Sequence, residues 1–290
     1  MSALRSMLFV PADSERKLAK AKDSRADVLI LDLEDAVAPA QKPAARITAA
    51  EYIRDQASSL SARLFVRINP LDSGLALGDL AAIVVPGLSG IMLPKTSSAA
   101  DVQRLALYLD ALEARAGLAA GVIAIVPVIT ETAQAMLTMH TFVPGIARLS
   151  GVTWGAEDLS TAIGAVSNRE ANGALSPLYV LANSLCLCAA ASAGVPAVDT
   201  LYADFKDAQG LALACRESRR RGFTGRIAIH PDQVDVINET YRPSEAELAE
   251  AQRIVDAFAA QPEAGTLSLD GVMLDIPHLK QARRTLAQAS

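Results

Sequence analysis

Short apolar, β-branched runs alternate along this chain with longer segments rich in alanine, leucine and charge. In order they read SMLFVPA, ADVLILDLED, ARLFVRINP, LSGIMLPK, GVIAIVPVIT, LSGVTWGAED, GVPAVDT and GRIAIHP, eight in all. A nearly continuous apolar run is the mark of a strand buried on both faces, as in a parallel sheet, and the intervening segments carry helical spacing. Asp13 or Ser14 can cap a helix over SERKLAKAKDS, Pro43 opens KPAARITAAEYIRDQA, and SSAADVQRLALYLDALEARA sets its leucines three to four apart. Eight strand and helix units without a second composition class predict an α/β fold closed as a (β/α)₈ TIM barrel. An open doubly wound sheet for a nucleotide would need a glycine-rich first turn, and neither GxGxxG nor GxxxxGK[ST] occurs.

After the eighth strand the pattern changes. RPSEAELAEAQRIVDAFAAQPEAG predicts a helix capped by Ser244 and ending near Gly265, and LSLDGVMLDIPHLKQARRTLAQ predicts a turn or hairpin and a last helix. The expected division is a barrel domain over residues 1–240 and a C-terminal helical extension over 241–290, the latter too small for an independent domain.

Composition narrows the functional classes. The 290 residues are 51% hydrophobic and 20% charged, enough to build a large core under an ordinary polar surface. A net charge of −5 and an aromatic content of 4% offer neither a basic face for phosphate backbones nor stacking platforms, so nucleic acid is excluded as a partner. The apolar stretch near the N-terminus is too short for a signal peptide or a membrane span, and the expected location is cytoplasmic. Cys186, Cys188 and Cys215 cannot form a disulfide framework; LANSLCLCAAASAG reads as a buried helix, with its thiols as small core residues.

In a parallel barrel the C-terminal ends of the strands open into one mouth, where such folds place their chemistry. Those ends supply Asp32, Glu34 and Asp35, then Arg67 and Asn69, Lys95, Thr130 and Glu131, Glu157 and Asp158, Asp199 and His230. Carboxylates beside two cations and an amide suit a hard metal with an anionic ligand, because Mg²⁺ takes one or two carboxylates and leaves its other positions to water and ligand oxygens. Glu131 and Asp158, from successive strands, meet that count. Arg67 is suited to clamp a carboxylate or enolate-like oxygen through two parallel hydrogen bonds, or else to form a rim salt bridge, for instance with Glu34. Lys95 reads as an ion-pair partner, since neighbouring carboxylates would keep it protonated and unfit for Schiff-base chemistry. His230 precedes Pro231 and reads as a turn-ordering residue more than a base. Ser73 and Ser160 have no histidine close in sequence, and no GxSxG elbow occurs, so a serine hydrolase has no support.

LFVPA, LDLEDAVAPAQKPAAR, FVRIN, IMLPKT, ITET, GAEDL and GRIAIHPDQV, in that order, resemble the citrate lyase beta subunit-like family of acyl-CoA lyases, with malyl-CoA lyase, citramalyl-CoA lyase and the HpcH/HpaI-type aldolases as relatives. The resemblance covers essentially the whole chain. It implies a TIM barrel whose Mg²⁺, with Mn²⁺ as a substitute, is held by Glu131 and Asp158. It further implies that Arg67 and Glu131 contact substrate and that Phe9 and Lys20 hold CoA, with Arg16 a further candidate. The first turn reads VPA where relatives carry VPG, and Ser14 stands where some carry arginine.

The tail segment GVMLDIPHLKQAR resembles a lid that reaches a neighbouring subunit's mouth, where Asp275 would be acid or base; a homotrimer or hexamer follows from that likeness. The implied reaction is reversible cleavage of a 3-hydroxyacyl-CoA such as malyl-CoA or citramalyl-CoA into acetyl-CoA and a 2-oxo acid. The alternatives are a citryl thioester lyase acting on an acyl carrier protein, and a malyl-CoA thioesterase.

Overall fold

In this computed structural model the described residues are 4–288. Eight strands follow the expected segments: β1 (Ser6–Pro11), β2 (Val28–Asp32), β3 (Arg63–Arg67), β4 (Leu88–Leu93), β5 (Ala124–Pro127), β6 (Val152–Thr153), β7 (Ala197–Asp199) and β8 (Gly225–Ala228). The helices on this part of the chain are α1 (Glu15–Ala21), α2 (Lys42–Gln56), α3 (Ala76–Ile83), α4 (Ala99–Ala116), α5 (Ala133–Thr138), α6 (Glu157–Ile163), α7 (Pro177–Ala193), α8 (Ala208–Arg221) and α9 (Asp232–Tyr241).

All ladders in the eight-stranded sheet are parallel, in the order β5-β4-β3-β2-β1-β8-β7-β6. The two ends of that order meet across the β5/β6 seam. Ile125 N donates to Arg148 O at 2.8 Å, Ser150 N to Ile125 O at 3.0 Å and Ile129 N to Thr153 O at 2.9 Å. The fold is therefore a (β/α)₈ barrel whose last seam is bridged by a few bonds rather than a full ladder, because β6 is only two residues long. All five residues of β2 are buried, as its unbroken VLILD requires. Met7, Val28, Ile30, Phe65, Met92, Val126, Val128, Val198 and Ile227 pack into one apolar cluster. A Cβ at Gly90 would lie 2.4 Å from the Phe65 ring, so any larger residue there would force that ring to move.

Two local expectations are corrected. Neither Asp13 nor Ser14 caps α1 through its side chain; the helix is held instead by its own backbone bonds and by burial of Leu18 and Ala21. Cys188 is exposed, because α7 turns only one face inward, and that face carries Cys186. Cys186 and Cys215 are buried, and burial raises both thiols, that of Cys215 to about 11, so neither is an available nucleophile.

The chain divides after residue 238 into the barrel unit and a C-terminal unit. In the latter, α10 (Glu245–Ala260) begins with a capping box in which the Ser244 side chain accepts from Glu247 N, as SEAE predicts. An antiparallel hairpin of β9 (Thr266–Leu269) and β10 (Val272–Asp275) follows, then α11 (Ile276–Ala287). Phe258, Leu267, Leu274 and Leu279 give this unit a small core of its own. No helix among the described residues is long and apolar enough to cross a membrane.

Candidate active site

The C-terminal ends of β2 and β3 are joined by charge. Asp32, 1% exposed, first organises its own loop by accepting from Glu34 N at 3.0 Å and Ala36 N at 3.1 Å. Its two oxygens then take Arg67 Nε and Nη2, each at 2.7 Å. Arg67 Nη1 lies 3.0 Å from Glu34 Oε2, and the guanidinium stands over the Phe9 ring at 4.5 Å. Burial works against its charge, but the hydrogen bonds and charge of Asp32, with Glu34 and Glu131 beyond, outweigh that and raise the pKa further. A guanidinium has five N–H donors, so this fork anchors Arg67 while leaving donors free at the mouth.

Lys42 completes the support. Its buried ammonium donates to Leu33 O at 2.8 Å, Glu34 O at 2.8 Å and Asn69 Oδ1 at 2.7 Å. Asn69 in turn donates from N and Nδ2 to Asp79 at 2.8 and 2.7 Å. Three buried polar side chains thus hold the backbone that presents Glu34, and none is left unpaired.

Across the mouth, Glu131 follows β5 and Asp158 lies in the first turn of α6. The two loops are pinned together by Thr130, whose hydroxyl donates to Gly155 O at 3.1 Å and accepts from Gly155 N at 3.0 Å. Gly155 also makes room: a Cβ there would stand 3.0 Å from Glu131 Oε1 and 3.1 Å from its Cγ. Glu131 is 6% exposed and accepts from Lys95 N at 2.5 Å. Burial first, then the charges of Asp158 and Glu34, push its carboxyl up to about 8. Lys95 spreads its ammonium over Glu34 at 2.5 Å, Asp158 at 3.2 Å and Asp35 at 3.5 Å. Burial opposes its charge, yet those partners raise its pKa.

A divalent cation fits these residues. Glu131 is a buried carboxylate with the negative charges of Asp158 and Glu34 close to it, and a glycine clears the space beside it. Among the described residues no group of three or more potential ligands forms a closed cage. Two carboxylates with open positions are what Mg²⁺ accepts when a ligand's oxygens supply the rest.

Beside this cluster runs a groove of about 820 Å³, walled by Phe9, Arg16, Lys20, Asp32, Arg67 and His230 among others. Phe9, Arg16, Lys20 and Arg67 are therefore brought to one cavity. His230 stacks on Phe205 with ring centroids 4.6 Å apart, and its Nδ1 accepts from Asp232 N at 3.3 Å, the turn-ordering role its sequence setting suggests.

Other rim residues are drawn elsewhere. Asn69 is consumed by Lys42 and Asp79. Asp199 is buried between Trp154 Nε1 at 2.7 Å and Arg226 at 2.5 Å. Glu157 turns outward to Asn168 at 3.0 Å. Ser160 bonds Tyr179 at 2.7 Å, with no imidazole on it. Asp275 belongs to the C-terminal unit, where it caps α11 and pairs with His278 Nδ1 at 2.6 Å, which holds its carboxyl below the usual range. Sequence reasoning passed over Lys42, Thr130 as a tie, and Gly155. Lys42 lies in the motif QKPAAR, but only the folded chain shows its ammonium turned inward.

The barrel and this mouth define the class, and the comparisons give the family. Residues 5–231 match the HpcH/HpaI aldolase/citrate lyase family, and residues 179–290 match a C-C bond lyase family of the TIM-barrel fold. The chain belongs to the HpcH/HpaI aldolase/citrate lyase family. It is 37% identical over 97% of its length to a citrate lyase subunit beta-like protein of Mycobacterium tuberculosis, covering 94% of that protein. It is 34% identical to a (3S)-malyl-CoA thioesterase of Cereibacter sphaeroides, over 98% of this chain and 94% of that one. It is 32% identical to the mitochondrial citramalyl-CoA lyase of Rattus norvegicus, over 99% and 86%. The crystal structure of CitE from Mycobacterium tuberculosis in complex with magnesium, acetoacetate and coenzyme A superposes with a TM-score of 0.76 at 34% identity, covering 99% of this chain and 98% of that one.

Proposed function

We propose that this protein is a Mg²⁺-dependent carbon-carbon lyase that cleaves, or in reverse forms, a 3-hydroxyacyl-CoA such as malyl-CoA or citramalyl-CoA, giving acetyl-CoA and a 2-oxo acid. The observation that carries this reading is the adjacency of two features. Arg67 lies in the wall of a groove with Phe9, Arg16 and Lys20, and in the same rim as Glu131 and Lys95. A CoA thioester laid along the groove would place its acyl end against the guanidinium.

Glu131 and Asp158 would hold the metal, which supplies Lewis-acid polarisation and a template for the oxo-acid half. Arg67, kept charged by Asp32 and Glu34, stabilises the thioester enolate left when the carbon-carbon bond breaks, a contribution of about 3 kcal/mol or more for a well-aimed donor. Asp275 exchanges the proton that turns that enolate into the acetyl group. In this reading Asp275 comes from the neighbouring subunit of a homo-oligomer, and the chain works in the cytoplasm with Mg²⁺ or Mn²⁺.

The likeness to a (3S)-malyl-CoA thioesterase favours a second reading, hydrolysis of the thioester to free CoA. One assay separates them. Purified protein is incubated with malyl-CoA or citramalyl-CoA and Mg²⁺, and the 2-oxo acid and free CoA are measured together. A lyase yields glyoxylate or pyruvate with acetyl-CoA; free CoA without an oxo acid overturns it in favour of the thioesterase. Activity only on a thioester of acyl carrier protein would make the chain the lyase component of a larger complex. Glu131→Ala should abolish Mg²⁺-dependent turnover, and a near-native rate in that variant would sink the metal assignment.

A further inference from the structure

Lys95 touches both carboxylates proposed above to hold the metal, each with a different part of itself. Its backbone N–H is on Glu131 Oε2 at 2.5 Å, and its ammonium is 3.2 Å from Asp158 Oδ1 and 2.5 Å from Glu34 Oε1. A left-handed backbone makes this double reach possible: Lys95 has φ 49°, in a region that residues with a Cβ seldom occupy, and it sits at the strand end where strained backbone often accompanies a site.

The charges around it leave it a distinct task. Asp32 and Arg67 neutralise one another through two hydrogen bonds. Glu34 and Asp158 remain as carboxylates in reach of its ammonium, and Glu34 Oε2 is buried without a hydrogen bond although it lies near Arg67 Nη1. Arg67 faces Glu34 as well, and the ammonium of Lys95 is the cation that reaches both Glu34 and Asp158. It bridges Asp158 and Glu34, so a divalent cation held by Asp158 would compete with it for that carboxylate. It has somewhere else to go, since Glu34 and Asp35 both accept from it.

We propose that Lys95 is a built-in monovalent counter-cation, which a divalent metal displaces from Asp158 when it binds. Filling the site is then an exchange of cations and not a simple addition. In the metal-free protein the ammonium keeps Asp158 and Glu34 together and the site assembled. In the metal-loaded protein it withdraws to Glu34 and Asp35, still on the rim, and its charge turns toward the mouth. The exchange weakens the intrinsic hold on the metal, so that an anionic ligand arriving with its own carboxylate does part of the binding. This inference rests on the assignment of Glu131 and Asp158 as metal ligands.

The test is metal binding to substrate-free protein at one fixed pH, by calorimetry for Mg²⁺ and by electron paramagnetic resonance for Mn²⁺, with no turnover involved. Removing one positive charge a few ångströms from the metal is expected to tighten binding about tenfold or more. Lys95→Met and Lys95→Gly should both show this, and Lys95→Arg should bind like the parent. The glycine variant keeps the left-handed backbone and the N–H on Glu131 without strain, so it carries the test even where the methionine variant folds poorly. The Mg²⁺-induced rise in Tm should likewise be larger in the neutral variants than in the parent. Neutral variants that bind Mg²⁺ as weakly as the parent, or more weakly, overturn the proposal. Glu131→Gln and Asp158→Asn report separately on the ligand assignment: if they bind Mg²⁺ as the parent does, the site itself has been misplaced, whatever Lys95 does.

Discussion

The chemistry at single residues is decided by how little freedom the rim leaves them. Arg67 is gripped by both oxygens of Asp32 and backed by the Phe9 ring, so its position is set before any ligand arrives, and pre-set donors are the ones that count in a transition state. Arg67→Ala is expected to lower kcat by about 10² to 10³ with a smaller change in KM. Arg67→Lys should restore little of it, because an ammonium cannot grip Asp32 at two points and face the mouth as well. Full recovery of kcat in the lysine variant would reject this role.

Glu131 makes a second prediction. Its carboxyl is pushed up to about 8, whereas an unfolded glutamate ionises near about 4.3. Between those values the folded metal-free chain holds a proton that the unfolded chain has lost, so stability falls as pH rises through that window. Scanning calorimetry of metal-free protein should show Tm declining between about pH 5 and 8 by more than in Glu131→Gln. Saturating Mg²⁺ should flatten the decline, since a bound cation stabilises the ionised form.

Among the elements, the opposite end of β5 does structural work separate from that of the mouth. Glu113 of α4 is fully buried at 0% exposure and accepts from Gly121 N at 2.8 Å, Ile123 N at 2.9 Å and Arg148 Nη1 at 2.6 Å. Burial alone would raise its pKa, but the Arg148 hydrogen bond and the two backbone N–H groups carry it below the usual range. Arg148 itself takes a left-handed φ of 64° just before the bonds that bridge β5 to β6. Glu113→Ala leaves a buried guanidinium short of a partner and should cost about 3 to 5 kcal/mol of stability, measured by denaturant unfolding. Because Glu113 lies at the end of β5 away from Glu131, Mg²⁺ affinity below the transition should be unchanged. A loss of Mg²⁺ affinity without a loss of stability would contradict this division of labour.

At the scale of the whole molecule, the barrel unit holds the proposed ligands and the C-terminal unit holds Asp275. If neighbouring subunits share sites as proposed, Glu131→Ala and Asp275→Ala are each inactive for different reasons. Mixing the two after co-expression, or after subunit exchange, should regain activity, because a mouth with Glu131 can then be served by a neighbour's Asp275. No regain in a mixture shown to contain both chains in one oligomer would confine Asp275 to its own subunit or remove it from the chemistry. Asp275→Ala alone should bind Mg²⁺ normally.

Much of this molecule is legible along the chain because its causes are local. Unbroken apolar runs such as VLILD can only be strands covered on both faces, polar residues at their ends must open toward water, and SEAE carries its own capping box. Eight strands, the alternating helices and the set of rim candidates followed from that. What those candidates do was settled by pairings between strands far apart in sequence. Asn69 and Asp199 read as rim groups and are consumed in buried networks, Lys42 went unremarked in the sequence and turns inward, and Thr130 with Gly155 ties two loops across the seam. Lys95 reaches both carboxylates only because its backbone turns left-handed at the strand end. Periodicity reports which face of an element is buried; which charge meets which is a matter of register, closure and rotamer, and those exist only once the barrel has formed.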